Sequence, residues 1–185
     1  MNKNFIEEIL DCGNLLWEKD LAVAFNGNIS MRAGGDSLLI TGTGTSLGRL
    51  KEEDISLASF DGRVIEGASP SSELRLHADI YRAFPAVMAI VHTHTTFTNA
   101  FFLKRECFRP ATFEAEYMLG EVLGVPQSAV NVVDTAPVIE ALRGRKVVVL
   151  RRHGVVAPGE TLFASVARIQ VLEEQIKMEA ISKLF

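Results

Sequence analysis

The stretch Val87-Met88-Ala89-Ile90-Val91-His92-Thr93-His94 is an apolar run that ends in two histidines. Such a run predicts a buried β-strand. Because successive side chains of a strand point to opposite faces, His92 and His94 lie on one face, about 7 Å apart at their Cα atoms. Two such imidazoles can converge on one metal ion. On its own, however, the pattern is more typical of an ordinary surface or core pair.

A third histidine strengthens the metal interpretation. His153 follows the apolar run Val147-Val148-Val149-Leu150, so three of the four histidines stand at the ends of predicted strands. If the sheet brings these strand ends together, three nitrogen ligands and one open position result, which is the pattern of a catalytic zinc site. The fourth histidine, His77, falls in the middle of a predicted helix and is interpreted as a structural or supporting residue.

Helices and short strands alternate along the rest of the chain. Hydrophobic periodicity and turn residues predict helices over residues 5–19, 71–84, 95–102, 113–124, 137–142 and 162–184. Strands are predicted near residues 25–32, 37–41, 55–60, 63–65, 87–94, 130–133 and 146–150. Asp61-Gly62 is the strongest hairpin signal. We therefore expect an α/β (α+β) fold with three layers, in which helices flank a mostly antiparallel central sheet, and a single domain over residues 1–185.

Composition limits the classes of function. The chain has 185 residues, of which 48% are hydrophobic and 23% charged, with a formal net charge of −4. This balance argues against nucleic acid or an anionic membrane as the main partner. Neither a signal peptide nor a membrane span is predicted, so a cytoplasmic location is expected. The two cysteines, Cys12 and Cys107, are predicted to pack as small apolar residues.

Glu73 is the next candidate for chemistry. The segment Pro70-Ser71-Ser72-Glu73 places a carboxylate in the first turn of the predicted helix, beside two hydroxyls. Its ordinary interpretation is a helix cap that complements the helix dipole. A helix N-terminus also suits a phosphate group, and a carboxylate beside a metal is a natural general base.

The glycine-rich loop Gly42-Thr43-Gly44-Thr45-Ser46 offers backbone N–H groups and hydroxyls for an anion. It matches neither the Walker loop, which requires a lysine, nor the dinucleotide-binding fingerprint. The upstream segment Asn26-Gly27-Asn28 is either a simple turn or a further source of an amide for a phosphate oxygen. Each of these signals is weak when taken singly.

Taken together, these segments resemble the class II aldolase/adducin family over about residues 5–180. The resemblance rests on the order and spacing of five motifs: Gly27-Asn28-Ile29-Ser30-x-Arg32, Ile40-Thr41-x-Thr43-Gly44, Pro70-Ser71-Ser72-Glu73, Val91-His92-x-His94 and His153-Gly154. It implies a zinc-dependent aldolase that cleaves a ketose 1-phosphate, such as L-fuculose 1-phosphate, into dihydroxyacetone phosphate and an aldehyde through a metal-stabilised enediolate. It also implies a homotetramer with active sites at the subunit interfaces.

The resemblance further implies a role for each matching residue. His92, His94 and His153 would hold Zn²⁺ or another divalent metal. Glu73 would act as the catalytic acid/base and would also bind the metal when substrate is absent. The phosphate would be bound by a polar set that comprises Asn28, Thr43, Gly44, Ser71 and Ser72.

The chain departs from the family pattern at one place that matters for the reaction. Glu114 stands where the family has a tyrosine proton donor, so Glu114 is a second candidate acid/base, and Tyr117 is the alternative replacement. A solvated helix-start acid is an equally good interpretation of Glu114. The departure leaves other sugar-phosphate reactions open: 4-epimerisation of a pentulose phosphate, dehydration of a methylthioribulose phosphate, or decarboxylation. A non-catalytic adducin-like domain would be expected to lose the histidines that this chain keeps.

Overall fold

The computed structural model covers residues 1–185 and is built on one nine-stranded sheet. In spatial order the strands run β4-β3-β2-β1-β5-β9-β8-β7-β6. Every neighbouring pair is antiparallel except β7 and β8. The strands are β1 (Asn28–Gly34), β2 (Ser37–Thr41), β3 (Ile55–Ser59), β4 (Val64–Gly67), β5 (Ala89–Thr93), β6 (Cys107–Phe108), β7 (Val122–Val125), β8 (Val148–Leu150) and β9 (Gly154–Gly159).

Six helices cover the two faces of this sheet. They are α1 (Lys3–Glu18), α2 (Leu74–Ala83), α3 (Thr96–Phe102), α4 (Phe113–Leu119), α5 (Ala136–Leu142) and α6 (Leu162–Ser182). Alternate residues of the central strands enter two separate cores: Val91 belongs to a cluster that includes residues of α1, α3, α4 and α6, whereas Ile90 belongs to one that includes residues of α2 and α5. The period of two in the strands thus gives three layers, and the predicted fold class is confirmed.

The strand register places the histidines at one edge of the sheet. β5 lies between β1 and β9, and His92 pairs with Asn28 on one side and with Val156 on the other. β9 begins at Gly154, directly after the tight turn that carries His153. Because β5 and β9 are antiparallel, the last residues of β5 and the first residue of β9 meet at the same edge.

Most local elements were predicted, but strands β6 and β9 were missed and four predictions were wrong. Residues 113–124 are not one helix, because Gly120 ends α4 with a φ of 63° and β7 follows. Residues 130–133 form no strand and lie in bends. Helix α2 begins at Leu74, so Glu73 is its N-cap residue rather than part of its first turn. Cys107 is exposed on the short strand β6, whereas Cys12 is buried as expected.

None of the six helices combines the length and the apolar character that a membrane span requires.

Candidate active site

Three histidine rings form a tight cluster at the edge where β5 and β9 meet. The ring centroids of His92, His94 and His153 are separated by 4.8–4.9 Å. Their ligand nitrogens all lie within 4.8 Å of one another, and Nε2 of His94 is 3.0 Å from Nε2 of His92. The structure therefore brings together the three histidines that sequence analysis placed on separate strand ends.

Hydrogen bonding and burial prepare these rings to act as ligands. The Nδ1–H of His92 donates to the carbonyl oxygen of Val155 at 2.8 Å, which leaves the lone pair of Nε2 free on the side of His94. Burial, with smaller contributions from His94 and His153, holds the pKa of His92 well below its usual range. Burial lowers the pKa of His94 to about 4 and also lowers the pKa of His153. Neutral imidazoles are the form that binds metals.

The packing around the cluster fits a bound metal ion. Nδ1 of His153 is buried without a hydrogen-bond partner, so this nitrogen is free to bind a metal ion. Gly154 lies so close to the rings that a Cβ there would come within 2.7 Å of the His94 ring and 2.9 Å of the His92 ring. Three imidazole donors with an open side suit Zn²⁺.

Glu73 lies in the same cavity as the histidines, with only 4% of its surface exposed. Its Oε1 accepts a hydrogen bond from the N–H of Val132 at 3.2 Å, whereas Oε2 is buried without a partner. Burial raises the pKa of Glu73, and the hydrogen bond from Val132 acts in the opposite direction. A carboxylate with one free oxygen and a raised pKa is suited to exchange a proton with a substrate.

A polar cradle forms the rest of this cavity of about 220 Å³. The glycine loop reaches the segment before α2 through two backbone bonds: the Thr43 N–H donates to Ser69, and the Ser71 N–H donates to Thr41. All five predicted phosphate-binding residues line the cavity: Asn28, Thr43, Gly44, Ser71 and Ser72. The buried Oδ1 of Asn28 has no partner. Only 2 of the 16 lining residues are hydrophobic, so the cavity favours a polar ligand.

Glu114 and Tyr117 lie elsewhere. Glu114 lines a different cavity, between α4 and α6, and Tyr117 is 83% exposed. Neither residue is among those that surround the histidines and Glu73. Within one chain, therefore, the structure does not bring these two candidate proton donors to the site.

Sequence analysis missed three residues that line the cavity: Phe25, Val130 and Asn131. The hydroxyl of Ser72 donates to Oδ1 of Asn131 at 3.3 Å, so the loop before α5 closes one side of the cradle. No local signal identifies these positions, because residues 128–131 are bends that tertiary packing alone places against α2.

His77 is a buried core residue, as sequence analysis predicted. Its Nδ1 forms a 2.7 Å hydrogen bond with the hydroxyl of Ser30, which also bonds to the hydroxyl of Tyr81. Complete burial lowers the pKa of His77 to about 3, so the ring stays neutral. His77 is not among the residues that line the cavity.

Several known proteins are similar to this chain over most of its length. L-fuculose phosphate aldolase of Methanococcus vannielii is 34% identical over 97% of this chain and 98% of its own length. A 3-oxo-tetronate 4-phosphate decarboxylase of Pectobacterium atrosepticum is 31% identical over 92% of this chain and 81% of its own. The crystal structure of L-fuculose-1-phosphate aldolase from Thermus thermophilus superimposes with a TM-score of 0.89 at 29% identity, over 99% of this chain and 96% of that one.

The family profile described as Class II Aldolase and Adducin N-terminal domain matches residues 7–180, which is nearly the whole chain. The profile therefore covers the sheet, the histidine cluster and the polar cradle together. This chain belongs to the class II aldolase and adducin family.

Proposed function

We propose that this protein is a zinc-dependent aldolase that cleaves a ketose 1-phosphate, such as L-fuculose 1-phosphate, into dihydroxyacetone phosphate and an aldehyde. One observation carries the proposal: three clustered histidines and a buried carboxylate line the same polar cavity. The family membership and the fuculose-phosphate aldolases among similar proteins support the same substrate class.

His92, His94 and His153 would hold the metal, and Glu73, which lines the same cavity, would be a further ligand when substrate is absent. When bound, a zinc ion supplies a Lewis acid that polarises a carbonyl group. The hydrogen bond from His92 to Val155 fixes one ring in the tautomer that a metal needs.

In this proposal Glu73 transfers a proton to and from the reacting carbon of the substrate. In the cleavage direction the bond between the hydroxymethyl carbon of the dihydroxyacetone half and the aldehyde carbon breaks, and its electron pair stays on the first of these carbons. Glu73 returns a proton to that carbon, and in the condensation direction it removes the same proton. The unpartnered Oε2 is the atom that can approach the substrate, because Val132 occupies Oε1.

The polar cradle holds the phosphate group in this proposal. The hydroxyls of Ser71 and Ser72, the loop at Thr43 and Gly44 and the amide of Asn28 all line the cavity beside the histidines. A phosphate has several acceptor oxygens and therefore suits a cavity that is rich in N–H and O–H donors.

In this proposal the second acid/base comes from another subunit. Glu114 and Tyr117 lie on an exposed helix, and the neighbouring Phe113 is 93% exposed. We propose that a homotetramer forms and that α4 of one subunit completes the site of its neighbour. Sedimentation equilibrium tests the oligomeric state. A cytoplasmic location is also proposed, and cell fractionation tests it.

Decarboxylation is the second candidate reaction, because a 3-oxo-tetronate 4-phosphate decarboxylase resembles this chain over most of its length. The two reactions share a carbonyl substrate and a phosphate, and they differ in the group that leaves.

The test is incubation of the zinc-loaded protein with fuculose 1-phosphate, ribulose 1-phosphate and 3-oxo-tetronate 4-phosphate. Release of dihydroxyacetone phosphate from fuculose 1-phosphate or ribulose 1-phosphate, measured with a coupled dehydrogenase, supports the aldolase. Decarboxylation of 3-oxo-tetronate 4-phosphate also yields dihydroxyacetone phosphate, together with carbon dioxide; this reaction without cleavage of either ketose 1-phosphate supports the decarboxylase and contradicts the aldolase.

A further inference from the structure

Glu173 is a buried carboxylate on α6 that the proposed mechanism does not use. It is 3% exposed, and both of its oxygens are hydrogen-bonded to the start of α3. Oε1 accepts from the N–H of Phe97 at 3.0 Å, and Oε2 accepts from the N–H and the hydroxyl of Thr98 at 2.9 and 2.8 Å. A buried charge is costly unless it is fully hydrogen-bonded, and here three donors satisfy it.

The Glu173 carboxylate takes the place of a side-chain cap at the start of α3. Thr95 is the N-cap residue of α3 and is of a type that commonly caps a helix, yet its side chain makes no capping bond and its buried hydroxyl has no partner. The first turn of α3 is held instead by a residue 75 or more positions away in sequence. The result is a fixed attachment of α3 to the long helix α6.

Helix α3 is linked to the histidine cluster at two points, once through the chain itself and once through a hydrogen bond. It begins at Thr96, two residues after His94, so its first turn fixes the end of the His-x-His segment. One turn later, Nδ2 of Asn99 donates to the carbonyl oxygen of His153 at 3.1 Å. This bond holds the turn between β8 and β9, where Arg152 adopts a φ of 64° that is uncommon for a residue with a side chain.

From these contacts we propose that Glu173 and Asn99 are positioning residues that set the distance between His94 and His153, and with it the metal affinity of the site. The inference rests on the proposed metal site. Glu173 fixes the position of α3, and the hydrogen bond from Asn99 holds the turn that carries His153 against α3. Neither side chain touches the substrate or supplies a ligand.

The experiment measures zinc affinity of the metal-free protein by competition with a chromophoric chelator, together with the absorption spectrum of the cobalt(II) form. Glu173→Gln removes the charge and one acceptor, and Asn99→Ala removes the bond to His153. Each is expected to weaken zinc binding by about tenfold, the lower end of the range for residues that orient metal ligands. Each should also change the cobalt(II) bands, which report ligand geometry.

Two control variants separate positioning from general stability. Glu174→Gln makes the same chemical change at the next residue of α6, where the carboxylate is exposed and forms a surface ion pair with Lys177. Thr161→Ala removes the side-chain cap of α6, which accepts from the N–H of Ala164 at 3.1 Å, and so destabilises the protein without touching α3. Both controls are expected to bind zinc with wild-type affinity.

The outcomes distinguish this inference from the proposed function. Wild-type protein that binds no zinc contradicts the metal site itself. If the wild type binds zinc, and Glu173→Gln and Asn99→Ala bind it equally well with unchanged cobalt(II) spectra, the positioning role is overturned while the proposed function stands. Weakening in Thr161→Ala to the same degree also overturns it. If Glu173→Gln does not fold, the comparison of Asn99→Ala with the controls decides.

Discussion

Two regions of the molecule differ in how complete they are within one chain. One is the histidine edge, where the end of β5 and the start of β9 bring the three histidines together, and the other is helix α4. At the sheet edge, His92, His94, His153 and Glu73 are brought together by strand register and buried contacts. Helix α4 carries the candidate acid Glu114 and the exposed Phe113 and Tyr117, which are 93% and 83% accessible. One half of the proposed chemistry is therefore assembled within the chain, and the other half is not.

This difference assigns the steps of the proposed reaction to two regions of the molecule. In the proposal, metal binding, phosphate binding and proton exchange at the hydroxymethyl carbon would depend on the histidine edge. Proton transfer to or from the aldehyde oxygen would depend on α4 and on contact with another subunit. Variants of the two regions should therefore fail in different ways.

The largest effect is expected at the metal ligands. His92→Ala removes one of three imidazole donors, so zinc affinity should fall by more than the factor of about 10 to 100 that changes outside the ligand set cause, and turnover should be lost with it. Metal content measured by mass spectrometry after dialysis checks this. His77→Gln is the matched control, since His77 is buried outside the cavity and should leave the metal content unchanged.

Glu73→Gln is expected to have the next largest effect. The amide keeps the size of the side chain but cannot take up a proton, so kcat should fall by about 10²- to 10⁴-fold, the usual contribution of an acid/base group. Zinc content should stay at the wild-type level, because three histidines remain. Activity within a few fold of wild type would remove Glu73 from the proton-transfer step.

A complementation experiment tests whether α4 serves a neighbouring subunit. Glu73→Gln and Glu114→Gln are each expected to be impaired alone. When they are co-expressed, random assembly should create about one intact site in four, because each interfacial site combines residues from two subunits. Steady-state rates of the mixed protein check this fraction.

Glu116→Gln, on the same exposed helix, is the control for that experiment and should be fully active alone. A mixed protein that is no more active than the average of its two parents would show that α4 does not complete a neighbour's site. Were Glu114→Gln fully active, Tyr117 would be the remaining candidate.

The smallest expected effect concerns the cradle. Ser72→Ala removes one hydroxyl from the proposed phosphate site, and a hydrogen bond to a charged group contributes about 1.5–3 kcal/mol, which corresponds to a KM raised roughly 10- to 150-fold. The kcat should change little, because the phosphate is remote from the reacting bond. Initial-rate kinetics measure both constants. Ser46→Ala, in the same loop region but outside the cavity lining, should leave KM unchanged.

Whether a feature could be predicted from the sequence depended on how far apart in the sequence the contacting residues are. The β1–β2 hairpin and the turn at Asp61-Gly62 are local, and both were predicted close to their observed positions. The His-x-His pair was predicted to share a face because that follows from the strand period alone. Its meeting with His153 depends on the pairing of β5 with β9, which only the tertiary fold establishes.

Errors fell where distant contacts override local pattern. The segment Val122–Val125 is apolar enough to extend a helix, but it pairs in parallel with β8 and forms a strand. Asn131 was missed as a cavity residue because it lies in an irregular loop. Contacts with Ser72 and Glu73 set the position of that loop. The exposure of Cys107 likewise follows from its place on a two-residue strand at the end of the sheet.

The central claim is that the histidine edge and Glu73 activate a hydroxy-ketone. Its most direct test is hydrogen exchange in D2O: the zinc-loaded protein is incubated with dihydroxyacetone phosphate alone, and proton NMR follows the hydroxymethyl signal. The account predicts stereospecific exchange of one of the two hydrogens by the wild type, and none by Glu73→Gln at equal zinc content. A fully zinc-loaded wild type that exchanges no hydrogen would contradict it.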